Sequence, residues 1–273
     1  MRLARDGCAL ALADVDEEGA CATLELVQRA GGSGHVERLD VSDARQWQAL
    51  RARLEDRWEH LDLLVNNAGV GCSGEVGALS LENWQWALGA NLMGAIYGSH
   101  TFLGWLKRNP HAPGIVNIAS VAGVISPPSM GAYNVSKAGV IALSETLYGE
   151  LRGQNVSITC VCPGFFPTEI LKRGRFMPHE RDAAEQYMQR ARISAADVAD
   201  RTLNAVARKE LYVFIPRRAR RLWWLKRAAP VLLLRLVALA YRRSTKGTAV
   251  IETAPIVPGS EDALTEESIR AQS

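Results

Sequence analysis

The sequence is poor in the features that mark a disulfide scaffold, a metalloprotein or a secreted protein. It has five cysteines, an odd number without C-x-x-C spacing, and Cys8, Cys160 and Cys162 fall in apolar runs typical of buried strands. The N-terminal residues show no signal-peptide pattern, and the chain shows no internal repeat or low-complexity stretch. We therefore expect reduced thiols, no metal site and a cytoplasmic setting.

Acidic side chains are missing from one long segment. Residues 211–251 contain ten of the 32 Lys and Arg residues and none of the 29 Asp and Glu residues. The net charge of +3 therefore depends on this segment, because the remainder of the chain is acidic on balance.

Apolar runs alternate with amphipathic stretches along most of the chain, and 273 residues can bury one α/β core with extensions. Runs of strand length cover residues 8–13, 36–39, 61–65, 115–119 and 156–161, and helical patterns cover 17–30, 44–58, 81–106 and 133–152. This alternation predicts an α/β fold with a doubly wound, Rossmann-type parallel sheet. Such sheets bind ligands beyond the carboxyl ends of their strands, where Asp14, Asp40, Asn66, Ser120 and Pro163 all fall.

A serine, a tyrosine and a lysine form the pattern with the clearest chemistry. Tyr133 and Lys137 are four residues apart, so a helix places them on one face, and Ser120 precedes the tyrosine by thirteen residues. The Lys137 ammonium would lower the pKa of Tyr133 toward neutrality, a change of about 4 kcal/mol. Ser120 would hydrogen-bond a carbonyl or alcohol oxygen while Tyr133 transfers its proton. The alternative is a surface helix with an ordinary Tyr/Lys pair.

Further motifs occur in the order known from one protein family. Asn66-Asn67-Ala68-Gly69 follows an apolar run, Asn91 lies in the next helical stretch, Gly114–Ser120 is a strand ending at the serine, and Cys162-Pro163-Gly164 follows the last run. With the Tyr133/Lys137 pair, these motifs closely resemble the short-chain dehydrogenase/reductase family from about residue 3 to about residue 215. The resemblance implies an oxidoreductase that transfers a hydride between a nicotinamide and a secondary alcohol or ketone.

The resemblance also implies a role for each motif residue. Tyr133 would be the general acid/base, Lys137 would lower its pKa and bind the nicotinamide ribose, Ser120 would orient the substrate oxygen, and Asn91 would hold a water in the proton relay. The residues between Ser120 and Tyr133 that would line a hydrophobic substrate pocket are Val124, Ile125, Pro127, Pro128 and Met130. Family members commonly form dimers or tetramers, so we expect a homo-oligomer.

Cofactor contacts are implied at several strand ends. The carboxylate of Asp14 would bind the adenosine ribose hydroxyls and repel a 2′-phosphate. No arginine occurs in Val15–Glu18, so the sequence favours NAD over NADP. The other implied contacts are Asp40, Val41, Asn67, Ala68, Gly69, Tyr133, Lys137, Pro163, Gly164, Phe166 and Thr168. Helix capping is the alternative interpretation for Asp14, and capping by Ser42 or Asp43 is the alternative after Asp40.

The start of the chain departs from the family. There, a first strand and a glycine-rich turn place the cofactor pyrophosphate at a helix N-terminus, whereas Met1–Gly7 resembles the end of that helix. We expect no G-x-G-x-x-G or G-x-x-x-G-x-G turn further along the chain to replace them. The expectation is a domain over residues 1–216 that lacks the first strand and the phosphate loop. The rival expectation is a truncated, non-catalytic binding or scaffold protein at a membrane surface.

The basic segment predicts an amphipathic helix over residues 217–243. Apolar side chains recur at spacings of three and four at Leu222, Leu225, Ala229, Leu232, Leu236 and Leu239. Lys226, Arg235 and Pro230 disfavour a membrane-spanning helix, and the pattern is typical of a helix lying on an anionic membrane surface. Packing on its own domain, a dimer interface and nucleic-acid binding are the alternatives, and we expect no nucleic-acid partner. Residues 244–273 are predicted to be disordered.

Overall fold

The computed structural model describes residues 1–245 as alternating helices and parallel strands. The strands are β1 Ala9–Asp14, β2 Ser33–Arg38, β3 Leu63–Asn66, β4 Gly114–Ile118, β5 Ser157–Pro163 and β6 Tyr212–Ile215. The helices are α1 Arg2–Arg5, α2 Glu17–Arg29, α3 Ala44–Glu55, α4 Leu81–Leu88, α5 Gly94–Arg108, α6 Ala122–Ile125, α7 Gly131–Glu150, α8 Pro178–Gln189, α9 Ala195–Ala207, α10 Ala219–Ala228 and α11 Pro230–Thr245. Most of the predicted tail, from residue 246 onward, lies outside the described residues.

The strands form two sheets instead of one. β1 pairs in parallel with β2, with Ala9 opposite Ser33, and the second sheet has the order β3-β4-β5-β6, also parallel. β4 and β5 are buried along almost their whole length, as expected for strands covered by helices on both faces. The α/β class and the parallel, Rossmann-type arrangement are confirmed.

A large gap separates the two sheets. A cavity of about 1560 Å³ is lined by β1 residues such as Leu10 and Leu12 and by β3 residues such as Leu64 and Val65. Val65 is 42% exposed although it lies in an apolar strand. In the part of the chain that the structure describes, no strand pairs with the facing edges of β1 and β3. In the described residues, an open slot therefore separates β1 from β3.

The main core lies on one face of the second sheet. Its buried members are Leu39, Trp47, Leu50, Leu54, Leu61, Leu64, Phe102, Trp105, Leu106, Ile115, Leu147, Leu151, Val156 and Ile158. α3 and α5 meet there through Trp47 and Phe102, whose rings lie 6.0 Å apart. These helices hold β3 in place, although β3 has a partner on only one side.

The helix predicted over residues 81–106 is interrupted by a π-helical turn at Gly89–Met93. The turn inserts one residue into the helical repeat, which local periodicity does not reveal. A side chain at Gly94 would collide with Val41, since its Cβ would lie 2.9 Å from that residue's Cβ. The turn directs the buried Asn91 toward the loop that follows β3.

The single helix predicted over residues 217–243 is divided into α10 and α11. Ala229 adopts φ −145° and ψ 68°, and Pro230 begins the next helix. Proline lacks an amide proton and clashes with the preceding turn, which explains the break. None of the helices in residues 1–245 is both long and apolar enough to cross a membrane.

Candidate active site

The serine, the tyrosine and the lysine meet on the wall of the large cavity. Ser120 directly follows β4, and α7 carries Tyr133 and Lys137 one turn apart. All three line the cavity, and the Ser120 side chain acts on the Tyr133 phenol by lowering its pKa. The Ser120 hydroxyl also accepts a bond from the Ala122 amide at 3.1 Å, which fixes its position at the start of α6.

Lys137 is a buried cation held by the main chain. It is 3% exposed, and its Nζ donates to the Ile118 carbonyl at 2.9 Å. Burial lowers the pKa of Lys137 to about 8, so its proton is held more weakly than that of an ordinary lysine. Nζ lies 5.8 Å from the centre of the Tyr133 ring, as the spacing of four residues predicts.

The predicted lowering of the pKa of Tyr133 by Lys137 is not observed. The cause is burial, which raises the pKa of Tyr133, and the Ser120 side chain offsets only part of this effect. The Lys137 ammonium donates its hydrogen bond to the Ile118 carbonyl. Tyr133 is therefore a neutral phenol, a proton donor in this state.

Asn91 braces the loop after β3. Its Oδ1 accepts from the Val70 amide at 2.6 Å, and its Nδ2 donates to the Val70 carbonyl at 3.0 Å and to the Ser136 hydroxyl at 3.1 Å. A Cβ on Gly69 would lie 2.9 Å from Asn91 Oδ1 and 3.2 Å from Lys137 Nζ. Asn91 thus links α7 to the loop and requires glycine at position 69.

Most of the implied cofactor residues lie on the same cavity. Its lining includes Asp14, Val41, Asn67, Ala68, Gly69, Tyr133, Lys137, Pro163, Gly164, Phe166 and Thr168. Asp40 and Asn91 are not among the lining residues. The Asp40 carboxylate instead accepts bonds from the amide and hydroxyl of Ser42 at 2.9 and 2.7 Å. Asp43 caps α3, as the alternative interpretation proposed.

Asp14 has a partner that the sequence did not reveal. Asp16, not Asp14, caps α2, so the capping alternative for Asp14 is wrong. The guanidinium of Arg173 lies 3.8 Å from the Asp14 carboxylate and also pairs with Asp16. Val15–Glu18 contains no arginine, but Arg173 reaches Asp14 from a distant part of the chain. No local signal could have found a contact across 157 residues.

The sequence contains one glycine-rich spacing that was not expected. Gly69, Gly71 and Gly74 have the spacing G-x-G-x-x-G. They follow β3, and the next helix is α4 at Leu81, so they do not open a helix as a phosphate-binding turn does. A Cβ on Gly71 would lie 2.2 Å from the Phe176 ring, so close packing accounts for that glycine.

The side chains fit the two ends of a nicotinamide dinucleotide better than its central pyrophosphate. Around Tyr133 and Lys137, hydroxyl and ammonium donors and a glycine loop face an open cavity, as a ribose and an amide ring require. Asp14 offers a carboxylate to ribose hydroxyls. The helix that follows Asp14, α2, is capped by Asp16 and begins with Glu17 and Glu18, and these carboxylates would repel a pyrophosphate at that helix N-terminus. Within residues 1–245 the site thus has its two ends without the central phosphate cradle.

The fold and the site together define a family. The sequence profile described as short chain dehydrogenase matches residues 1–177. The chain belongs to the short-chain dehydrogenase/reductase family, and it is an oxidoreductase-family protein on this basis.

Individual relatives agree with this family, and they differ in the share of each chain that the match covers. A short-chain dehydrogenase/reductase from Burkholderia phymatum, solved in complex with NAD, is 33% identical with a TM-score of 0.75, covering 95% of this chain and 91% of that one. The probable oxidoreductase EphD of Mycobacterium tuberculosis is 30% identical over 219 residues, which are 77% of this chain and 37% of that protein. The chain therefore spans little more than a third of EphD. The inactive 2-(S)-hydroxypropyl-CoM dehydrogenase 2 of Xanthobacter autotrophicus is 37% identical over 164 residues, covering 59% of this chain and 68% of that protein.

Proposed function

We propose that the protein is an NAD(P)-dependent oxidoreductase acting on a secondary alcohol or ketone. The observation that carries the proposal is the meeting of Ser120, Tyr133 and Lys137 on the wall of one cavity. A surface Tyr/Lys pair would not explain a lysine that is 3% exposed. A buried ammonium beside a cavity with a hydroxyl pair is an arrangement suited to proton transfer.

The chain supplies the proton chemistry of this reaction. When bound, the nicotinamide supplies or accepts the hydride at the carbinol carbon. In the reducing direction, Tyr133 donates its phenolic proton to the carbonyl oxygen as the C=O π bond breaks, and Ser120 donates a hydrogen bond to the same oxygen. The Lys137 ammonium would donate to a ribose hydroxyl of the bound nicotinamide, and Asn91 keeps the glycine loop in place. The raised pKa of Tyr133 suits this donor role.

The substrate side of the cavity favours an apolar molecule. Ile125, Pro127 and Met130 line it between Ser120 and Tyr133, and Phe165 and Met188 line it from the segment after β5. Val124 is instead part of a buried core cluster, and Pro128 is not among the lining residues. Five apolar side chains around the reacting hydroxyls support a hydrophobic alcohol or ketone.

NAD is the proposed cofactor, with Asp14 as its ribose ligand. The exposed Asp14 carboxylate would bind two hydroxyls and repel a 2′-phosphate. The Burkholderia relative with bound NAD supports this choice. Arg173 reduces the repulsion, since it lies 3.8 Å from the same carboxylate. The preference for NAD is therefore expected to be moderate.

We also propose a homo-oligomer that packs through α5 and α7. α7 exposes Val135 and Tyr148 although most of its length is covered, which leaves apolar surface for a second copy. Light scattering of the purified protein tests this point, and a monomer at all concentrations would contradict it.

The rival function is a non-catalytic binding protein. It is favoured by the open slot and by the lack of a phosphate cradle in the described residues, and one relative is named as inactive. The two proposals predict different results for one measurement: an enzyme turns over the dinucleotide, and a non-catalytic binding protein does not.

The test measures nicotinamide absorbance with secondary alcohols and ketones of increasing chain length. It uses the chain as it stands and a chain extended before Met1 by an apolar strand and a glycine-rich turn. We expect turnover that falls about 10²-fold or more in Tyr133→Phe, the range of general acid/base catalysis. Tyr148→Phe, on the same helix, is the matched control and should keep full activity. Equal turnover in Tyr133→Phe, or none with saturating dinucleotide in the extended chain, would overturn the proposal.

A further inference from the structure

The C-terminal helix pair, α10 and α11, is fixed on the protein by one face only. Leu233 is 2% exposed, and the Tyr241 hydroxyl lies 2.7 Å from the Ser129 hydroxyl. Trp223 packs on Tyr212 at 5.2 Å between ring centres. The inner face of the pair is therefore a permanent part of the fold, as one of the alternative interpretations proposed.

The outer face of the pair is apolar and exposed. Six of the 17 exposed large hydrophobic side chains in the described residues lie in this short stretch: Trp224, Val231, Leu232, Leu234, Leu236 and Leu239. Leu232, Leu236 and Leu239 recur at spacings of four and three, so they share one side of α11, which is turned away from the buried Leu233 by about a quarter of the helix circumference. Trp224 is 56% exposed and Leu232 is 52% exposed. Burial of such side chains requires something outside residues 1–245.

Basic side chains surround these leucines. Residues 217–243 hold nine Lys and Arg residues and no acidic residue. Arg227 forms an ion pair with Glu145 at 3.5 Å, and none of the other eight has an ion pair among the described residues. Arg235 and Arg242 lie on the same side of α11 as Leu232 and Leu239, because the spacings are again three and four. The outer face thus offers leucines and unpaired guanidinium groups together.

We propose that this face docks on an anionic lipid bilayer. Leucines on a helix lying in the interface enter the acyl boundary, while arginines around them reach the lipid phosphates. A second copy of the chain fits less well, since its identical face would bring guanidinium groups against guanidinium groups. A nucleic acid would attract the arginines but would leave the exposed leucines in water.

The surface adjoins the substrate side of the cavity. Tyr241 on α11 is bonded to Ser129, and the neighbouring residues Pro127 and Met130 line the cavity. If the proposed function holds, a docked protein takes its hydrophobic substrate from beside the bilayer. The docking proposal itself does not depend on catalysis.

The test is vesicle flotation of the full chain, because aggregates sink whereas vesicles rise. Vesicles of phosphatidylcholine alone are compared with vesicles that also contain phosphatidylserine. Flotation is expected with the anionic vesicles and should weaken with salt, since the screening length falls from about 10 Å at 0.1 M to about 3 Å at 1 M.

Two variant pairs test the face itself. Arg235→Gln with Arg242→Gln should lower the partition coefficient tenfold or more, since each near-surface arginine contributes about 1 kcal/mol. Leu232→Ser with Leu239→Ser should lower binding in anionic vesicles at any salt. The matched controls are Arg29→Gln with Arg45→Gln and Leu26→Ser with Leu81→Ser, all at exposed positions elsewhere.

The proposal fails if the chain floats equally with neutral and anionic vesicles. It also fails if the control pairs reduce flotation as much as the α11 pairs, or if the chain retards duplex DNA without binding vesicles. Circular dichroism melting of each variant shows that the fold is kept, and exposed positions are expected to change the melting temperature little.

Discussion

Arg173 extends from the segment after β5 and places its guanidinium 3.8 Å from the carboxylate of Asp14 at the end of β1. The pair joins two parts of the chain at the position where an adenosine ribose would bind. It also puts a cation where a 2′-phosphate would meet the Asp14 carboxylate. We therefore expect cofactor choice at this site to depend on both residues.

The first prediction concerns cofactor choice. We expect NADH to bind more tightly than NADPH, and Asp14→Ala to narrow the difference because repulsion of the 2′-phosphate is removed. Arg173→Gln should widen the difference in affinity, because the cation that offsets the repulsion between Asp14 and the 2′-phosphate is lost. Fluorescence titration of the extended chain with both cofactors measures this, and a preference for NADPH in the unmodified protein would refute the assignment.

The second prediction concerns the slot between β1 and β3. An extension before Met1 with an apolar strand and a glycine-rich turn should raise the melting temperature, as each buried Val or Leu contributes about 1.5–3 kcal/mol. An equally long extension of Ser and Gly residues is the control.

The same experiment tests dinucleotide binding. The 273-residue chain should bind NAD poorly, because its described residues offer no cradle of amides to the pyrophosphate. Calorimetry that shows micromolar binding by this chain, or equal melting temperatures for both extensions, would contradict the interpretation of the slot.

The third prediction concerns the pH dependence of stability. Lys137 has a pKa of about 8 in the folded protein and 10.5 ordinarily, because burial penalises the ammonium. This penalty lowers the stability of the folded protein fully below pH 8, where Lys137 is charged in both the folded and the unfolded protein. It disappears as the pH rises toward 10.5, because the folded protein releases the proton at a lower pH than the unfolded protein does. Lys137→Met removes the ammonium and therefore its burial penalty. Relative to the unmodified protein, the free energy of unfolding of this variant should be highest near pH 7.

Urea unfolding at several pH values measures this difference. The lost bond to Ile118 adds a cost that does not depend on pH, so only the trend is diagnostic. A difference that stays constant from pH 7 to pH 10.5 would show that Lys137 is not a destabilised cation.

The fourth prediction concerns Asn91. Asn91→Ala leaves the Val70 amide and carbonyl and the Ser136 hydroxyl without their partner, and we expect a loss of about 1–3 kcal/mol. Asn204→Ala, at an exposed position in α9, is the control and should change stability by less than about 0.5 kcal/mol. Equal losses in both variants would rule out the bracing role.

The sequence predicts the elements and the site well where the signal is local. Apolar runs mark β4 and β5, and the spacing of four residues brings Tyr133 and Lys137 together on α7. It fails where one inserted residue or one distant partner decides the outcome. The π-helical turn at Gly89–Met93 leaves the apolar pattern almost unchanged, and Arg173 meets Asp14 only through the fold.

The pKa of Tyr133 shows a second limit. Spacing places the lysine near the ring, but the partner of its ammonium is the Ile118 carbonyl, on a strand that the pattern treats as separate. The direction of the pKa shift depends on the burial of Tyr133, which is not encoded in the spacing.

The division of the sheet has a consequence for how the protein unfolds. In the described residues, β1, α2 and β2 have no strand pairing with the second sheet. They contact the remainder through Leu39, the partly buried Ala11, and ion pairs such as Glu37–Arg53 at 2.8 Å and Asp14–Arg173 at 3.8 Å. Such a unit is expected to unfold separately, at a lower free energy than the sheet around β4 and β5. Amide hydrogen exchange should therefore show two cooperative units, with the Leu10 and Leu12 amides exchanging well before those of Val116 and Val161.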